Sequence, residues 1–417
     1  MSKKVSSWSW VPSLYLAEGI PYAIINLFSV AMYKDFGVGN AEIAFYTSWL
    51  YLPWVLKPLW SPFVDVIRTK RWWVLAMQIL LGVGMAAVAF SLSAPQWFKI
   101  TIGIFWLMAF SSSTHDIAID GYYMLALDTK EQSFFVGIRS TFYKISQWVG
   151  NGALMILVGH LQKTHTQIYS WTIVLLIMAG VFVGLMIYHS FILPKVEHRC
   201  DGKKSDVLRS MADVFVTFFR KPAVWITLTF ILVYRLGEAM LVKMKTPFLV
   251  DTITAGGMGL TLEQYGLIDG TIGMLCMVTG GIVGGIALSR KGLRYWLWAM
   301  LMCMALPNAA YIYLAFFQPS ELWIIGACVG IEQLGYGFGF TCISLYMMYF
   351  SRGSYATSHF ALCTGFMALG MMLPGMVAGY LQESLGYPLF FSLVFVLGLV
   401  VMAVVPFLKI DPDFGKK

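Results

Sequence analysis

The chain has 417 residues, 59% of them hydrophobic and 12% charged, and its mean hydropathy is +0.72. Ordinary soluble domains carry roughly 45–50% apolar and about 25% charged residues, so this balance excludes a soluble globular protein and predicts an integral membrane one. A formal charge of +8 would suggest nucleic acid in a soluble chain, but here membrane topology accounts for the excess and no nucleic-acid partner is expected.

In chain order, "MSKKVSSWSW" carries two lysines and leads into a full-length apolar span with no small-residue cleavage site, so the first helix is expected to stay in the mature protein. Apolar runs recur at Trp10–Tyr33, Ile43–Trp60, Trp72–Leu92, Phe98–Leu127, Phe134–Leu161 and Tyr169–Leu193. A second set follows at Val224–Val250, Tyr265–Leu288, Tyr295–Phe317, Leu322–Phe350, Ala356–Leu381 and Leu389–Leu408. Each is long enough to cross a hydrocarbon core of about 30 Å, which takes roughly 20 helical residues. A β-barrel would instead show alternating segments of about ten residues. The fold class predicted is all-α, a polytopic membrane protein of twelve transmembrane helices in two six-helix halves. Of the six cysteines only Cys200 lies outside a span and no CxxC pair occurs, so neither a disulfide framework nor a metal site is expected.

With an even number of helices both termini share one side. That side collects twenty lysines and arginines, seven of them between Lys195 and Lys221, against Lys34, Lys99 and Lys163 on the other. The positive-inside rule then predicts cytoplasmic termini.

Residues 194–223 form the longest polar stretch, at the midpoint of the twelve helices. They read as a cytoplasmic linker between an N-terminal half, 1–193, and a C-terminal half, 224–417. An amphipathic piece from Val207 to Phe219 is expected along the membrane surface. The halves echo each other weakly at an offset of 220 residues: "GHLQ" at 159–162 with "GYLQ" at 379–382, Gly150 with Gly370, Glu18 with Glu238. A parallel duplication of six helices is the arrangement of the major facilitator fold. In such a fold Asp65, Arg68 and Arg71, in "WSPFVDVIRTKRWW", are candidates for a cytoplasmic gate; anchoring among lipid headgroups is the blander role for them.

A charge at mid-bilayer costs at least about 2.5–3.5 kcal/mol, so such residues face a partner or a water-filled cavity. In order they are Glu18, Lys57, the trio His115, Asp116 and Asp120, then Arg139, Lys144, Arg235, Glu238, Lys243, Lys245, Asp269 and Glu332. Helical spacing puts Ser112, Asp116, Asp120 and Tyr123 on one stripe of the fourth span, and Arg139, Tyr143, Gln147 and Gly150 on one stripe of the fifth, with Lys144 beside it. Pairing of Asp116 and Asp120 with Arg139 and Lys144 is the first expectation, with a static buried ion network as the alternative. His115 lies about 100° from Asp116 around the helix and is read as a packing histidine rather than a proton relay. In the seventh span Arg235 either pairs with Glu238 or meets an anionic substrate group, while Lys243 and Lys245 are expected to snorkel to the outer headgroups. Glu332 and Tyr336 share a face of the tenth span, next to "GYGFGF". The glycines of "GGIVGG" at 280–285 are read as close helix packing rather than a phosphate cradle.

Taken in order, "VLKPLWSPFVD" with Lys57 and Asp65, "RWWVLAMQILL", "THDIAIDGY" with Asp116 and Asp120, "YRLGEAM" with Arg235 and Glu238, "PNAAYIYLA", "GIEQLGYGFG" with Glu332, and "SHFAL" and "VAGYLQESLG" resemble the AmpG-type muropeptide permease family. That family belongs to the major facilitator superfamily, to which the acetyl-coenzyme A transporters are also related. The resemblance covers nearly the whole chain. It departs at "LIDGTIG", where Asp269 and Gly270 replace a family lysine, and at Glu18 before Gly19 and Pro21.

The resemblance implies a proton-driven symporter of the bacterial inner membrane, importing muropeptides or cell-wall-derived amino sugars in peptidoglycan recycling. Proton-coupling candidates are Asp116, Asp120, Glu18, Glu238 and Glu332. Substrate-binding candidates are Lys57, Arg139, Lys144, Gln147, Arg235 and Tyr336. No cofactor beyond the proton gradient is expected, and no GxxxxGK[ST] motif points to direct ATP coupling. The partners expected are a small-molecule substrate and the bilayer, with the chain as a monomer. The nearest alternative keeps the fold and carries a siderophore or another glycan fragment. An intramembrane enzyme lacks its motifs here, since neither HExxH nor GxGD occurs. A non-transporting sensor is the third reading.

Overall fold

The computed structural model describes residues 6–196, 204–353, 355–412 and 414–415; every regular element among them is helical. The helices are α1 (Ser7–Asp35), α2 (40–67), α3 (Lys70–Ser91), α4 (Trp97–Ala126), α5 (129–161) and α6 (Gln167–Ile192). After a linker helix at Lys204–Phe219 come α7 (Val224–Val250), α8 (Leu262–Lys291), α9 (Leu293–Phe317), α10 (Leu322–Ser351), α11 (356–385) and α12 (387–407). Gly386, at φ +71°, breaks the last two apart; in this left-handed region a side chain is strained, so glycine suits the turn. The twelve spans expected from hydropathy are thus present as helices.

Large apolar side chains on the outer faces are exposed, among them Phe90, Leu107, Phe191 and Trp323, each more than 70%. So much exposed apolar surface suits hydrocarbon and not water.

The chain divides into two compact units: Met1–Met32 with Leu56–Met211, and Tyr33–Val55 with Ala212–Lys417. The second crossing falls inside the polar stretch 194–223, while the first moves the end of α1 and the start of α2 into the second unit.

Within the first unit α1 packs on α5 and α4, and α3 on α4 and α6. Wide π-type turns interrupt α1 at Ile24–Phe28 and α5 at Val149–Ala153. A Cβ on Gly150 would collide with Ala23, so the two backbones meet there.

Within the second unit α7 packs on α11, α8 on α10, α9 on α10, and Asn40–Trp49 of α2 on α11. The glycines of "GGIVGG" and "GYGFGF" close the α8–α10 seam: a Cβ on Gly280 would strike the Leu334 carbonyl, and one on Gly337 the Met277 carbonyl. Small residues let neighbouring backbones touch where no hydrophobic force drives helices together in lipid. The linker helix does not simply lie on a surface. Its Phe218 is fully buried, against Phe350, Phe366 and His359 of the second unit.

Candidate functional site

In the first unit the α4 stripe carries its two carboxylates on consecutive turns. Lys57 Nζ lies 2.5 Å from Asp116 Oδ2. Arg139 Nη1 lies 3.2 Å from Asp120 Oδ1, and Tyr15 of α1 donates its hydroxyl to the same oxygen at 3.0 Å. The guanidinium also donates to the Tyr15 oxygen at 3.0 Å and sits 5.3 and 5.2 Å from the rings of Tyr15 and Tyr123. Glu18, buried on α1 one turn beyond Tyr15, comes within hydrogen-bonding reach of the Asp116 carboxyl. Its Oε2 is buried with no hydrogen-bond partner among the described residues.

Two carboxyl groups in hydrogen-bonding reach hold together when one carries a proton. The cluster sets three acids, Glu18, Asp116 and Asp120, against two cations, Lys57 and Arg139. One added proton makes it neutral.

The expected pairing is half right. Asp120 does meet Arg139, but the cation on Asp116 is Lys57 of α2 and not Lys144. Arg139 and Lys144 are five residues apart, about 140° around a helix of 3.6 residues per turn, so they cannot both face α4. Lys144 is half-buried and makes no ion pair among the described residues. Gln147 donates to the Gly19 carbonyl at 3.2 Å, tying α5 to α1.

Behind this stripe runs a second polar chain. Ser13 Oγ lies 2.9 Å from His189 Nε2, His189 Nδ1 lies 2.9 Å from Gln78 Nε2, and Gln78 Nε2 lies 3.2 Å from His115 Nε2. It joins α1, α6, α3 and α4 through three fully buried side chains, Gln78, His115 and His189. His115 is fully buried and bonded to Gln78, with Nδ1 left without a partner among the described residues.

Of the gate candidates, Arg71 donates to the carbonyls of Leu193, at 3.1 Å, and Ser190, closing the end of α6 within its own unit. Arg68 is exposed, 5.7 Å from the Trp72 ring. The Asp65 side chain lies outside the described residues.

The second unit holds a matching cluster. Lys245 Nζ lies 2.7 Å from Asp269 Oδ1, both side chains nearly inaccessible. Glu332, 1% exposed, accepts from Tyr311 OH at 3.3 Å and Gln333 Nε2 at 3.2 Å. Arg235 stands where α7 breaks between Val233 and Leu236. It donates to Tyr234 OH at 2.9 Å and Tyr336 OH at 3.2 Å. Glu238 is buried with Oε2 unpartnered among the described residues.

Here the expectation of snorkelling lysines fails. Lys243 is 1% exposed, donating to Thr47 Oγ1 at 2.9 Å over the Tyr51 ring, and Lys245 is buried on Asp269. Each lysine finds a partner inside the unit, Asp269 for Lys245 and Thr47 for Lys243, and the incoming start of α2 covers Lys243.

The 220-residue offset organises both clusters. Glu18 and Glu238 correspond, and each keeps a buried, unpartnered Oε2. The contact of Tyr15 with Asp120 recurs as that of Arg235 with Phe340, whose ring lies 5.6 Å from the guanidinium. The chemistry differs while the positions persist, as a duplicated scaffold predicts.

The family model of the Major Facilitator Superfamily matches residues 13–373. The chain belongs to that superfamily. Among its relatives, the anhydromuropeptide permease of Escherichia coli K12 is 26% identical over 383 residues, covering 91% of this chain and 74% of the relative. A Rickettsia conorii protein carrying the transporter name AmpG 4 is 24% identical over 416 residues, 95% of each chain. The crystal structure of a D-xylose–proton symporter superposes with a TM-score of 0.74 at 9% identity over 99% of both chains. That of the nucleoside transporter NupG gives 0.73 at 15% identity, over 96% of this chain and 99% of the other. These likenesses establish the major facilitator fold, and the protein is a multi-pass membrane transporter of that superfamily.

The residues missed from sequence are Tyr15, Tyr311, Gln78 and His189. Tyr15 was legible in part, since it stands three before Glu18 on the same helical face.

Proposed function

We propose that this major facilitator protein is a proton-coupled importer of a muropeptide or a cell-wall-derived amino sugar, a transporter and not an enzyme. We place it in a bacterial inner membrane, as a monomer with both termini cytoplasmic and no cofactor beyond the proton gradient. The observation that carries the reading is the Glu18–Asp116–Lys57 contact, in which one carboxyl faces an acid and an ammonium at once.

A proton arriving on Asp116 neutralises it and releases Lys57, whose ammonium then seeks another anion. A substrate carboxylate supplies one, and unpaired Lys144 a second point of attachment. Arg235 and Tyr336 serve the second unit in the same way, as an Arg–phenol pair suited to a carboxylate and its neighbouring hydroxyls. Arg139 and Gln147, already engaged, position α5 instead. The proton and the substrate carboxylate offset each other, so the loaded cluster moves through the conformational exchange with no more net charge than the resting one. The names of the E. coli and Rickettsia relatives support the muropeptide class.

The test is uptake of labelled anhydromuropeptide into proteoliposomes under an inward proton gradient. Asp116→Asn is expected to lower gradient-stimulated uptake by about tenfold or more. Equal stimulation of wild type and variant would sink the coupling role. A thermal-shift screen across muropeptides, amino sugars and siderophores separates the cargo classes, because a true substrate stabilises by mass action.

A further inference from the structure

Away from both charge clusters, the second unit has a cavity of about 510 Å³ where α7, α10 and α12 end together. Three cations reach it from three separate segments, each placed at the end of an apolar span. Lys221 precedes the first residue of α7 by three, Arg352 follows the last of α10 by one, and Lys409 follows the last of α12 by two. None makes an ion pair among the described residues. One acid, Asp411, also lines the cavity, leaving an excess of two positive charges.

The site is held in shape by its own bonds. Lys221 Nζ donates to the carbonyls of Phe350, at 2.6 Å, and Arg352, at 2.7 Å, which fixes its ammonium and leaves one proton without an acceptor among the described residues. The Arg352 guanidinium lies 4.2 Å from the Phe414 ring and 5.6 Å from that of Tyr349, stacked and without a carboxylate. The tyrosine hydroxyls are engaged, Tyr346 with Thr227 and Tyr349 with the Asp411 amide. The floor is apolar, with Ile226 and Leu408, and Trp225 beside it is 70% exposed, as interfacial tryptophans are.

We propose that this cavity binds the phosphate of an anionic phospholipid. A planar, stacked guanidinium that shares one cavity with two lysines suits phosphate oxygens. The apolar floor of Ile226 and Leu408, with Ile226 next in sequence to the exposed Trp225, suits acyl chains and gives a free phosphate nothing to bury. Basic pockets between transmembrane helices at the headgroup level take acidic lipids in this way. The site is independent of the transported cargo.

Native mass spectrometry of the purified full-length protein tests it, with phosphatidylglycerol, phosphatidylcholine of the same acyl chains, and inorganic phosphate as probes. The wild type is expected to retain phosphatidylglycerol over phosphatidylcholine. Lys409→Gln, at an exposed residue with no bonds among the described residues, is expected to reduce that preference by about fivefold, as is Arg352→Gln. Arg352→Lys should keep most of it, and Lys291→Gln, an exposed cation elsewhere, all of it. Equal retention of the two lipids, loss of preference in Lys291→Gln as large as in Lys409→Gln, or an undiminished preference in both Gln variants would overturn the assignment. Complete displacement by millimolar inorganic phosphate would overturn it too, reassigning the cavity to the free anion. Melting temperatures in phosphatidylcholine micelles identify any variant that has lost its fold, and Lys409→Gln then decides alone.

Discussion

Lys57 and Asp116 meet at 2.5 Å across α2 and α4, and the carboxyl of Asp116 is also within reach of Glu18. Removing either charge of the pair leaves the other facing a poorly hydrated interior. The side chains keep 26% and 18% of their exposure, so the loss on Lys57→Met is set at about 1–3 kcal/mol, below the 3–5 kcal/mol of fully buried pairs. Lys57→Met with Asp116→Asn together should be more stable than either alone. Thermal unfolding in detergent checks this, and strictly additive losses would argue against the pair.

Lys245 and Asp269 are buried more deeply, at 9% and 3% side-chain exposure. Asp269→Asn is expected to cost about 3–5 kcal/mol by stranding the ammonium. Lys245→Met with Asp269→Leu should recover most of the loss. A double variant no better than the singles would mean that the pair contributes nothing beyond its volume.

Gly280→Leu should prevent α8 and α10 from seating, since even a Cβ meets the Leu334 carbonyl. An overpacked seam costs about 1–3 kcal/mol or more. The readout is the monodisperse fraction on size exclusion, with Gly285→Leu as control, because nothing lies near that Cβ. Similar yields for both would refute the close seam.

Gln78→Leu removes the link between His115 and His189, taking from His115 its one hydrogen bond and leaving His189 with Ser13, at a cost of about 1–3 kcal/mol for unsatisfied polar groups. If the chain is structural, as its geometry indicates, gradient-driven uptake per folded molecule should be retained. Uptake abolished in a variant of unchanged melting temperature would instead make it part of the transport machinery.

At the far end of α2, Asn40 Nδ2 donates to Gln382 Oε1 at 2.7 Å and Lys34 Nζ lies 2.6 Å from Asp251 Oδ1. Bridging Asn40→Cys and Gln382→Cys with a short thiol crosslinker should stop uptake if this contact opens in each cycle. Cleaving a reducible crosslinker should restore it. Undiminished uptake by the bridged protein would show the contact to be static.

Much of the fold was legible because bilayer thickness writes itself into the sequence as runs of about 20 apolar residues. The α4 stripe was legible for a related reason: Asp116 and Asp120 are four apart, and one helix suffices to place them. Their partners depend on packing between helices distant in sequence. Lys57 was therefore found as an intramembrane charge and a substrate-binding candidate and not as the counter-ion of Asp116, which was sought in Lys144 instead. Lys243 and Lys245 were misplaced because their partners, Thr47 and Asp269, stand on other helices and spacing along α7 does not reveal them. The Ser13–His189–Gln78–His115 chain takes one residue from each of four helices, and no periodicity within a single helix signals it.

The correspondence of Tyr15 with Arg235 and of Asp120 with Phe340 speaks to ancestry. If one six-helix gene was copied end to end, the pair of positions was inherited as a place of contact before either copy settled its charges. The first copy came to hold an acid on the fourth helix of its half and a phenol on the first; the second came to hold a base on the first and an aromatic face on the fourth. Glu18 and Glu238 are the same residue at matched positions, so an acid on the first helix of each half is the ionisable feature the two copies share.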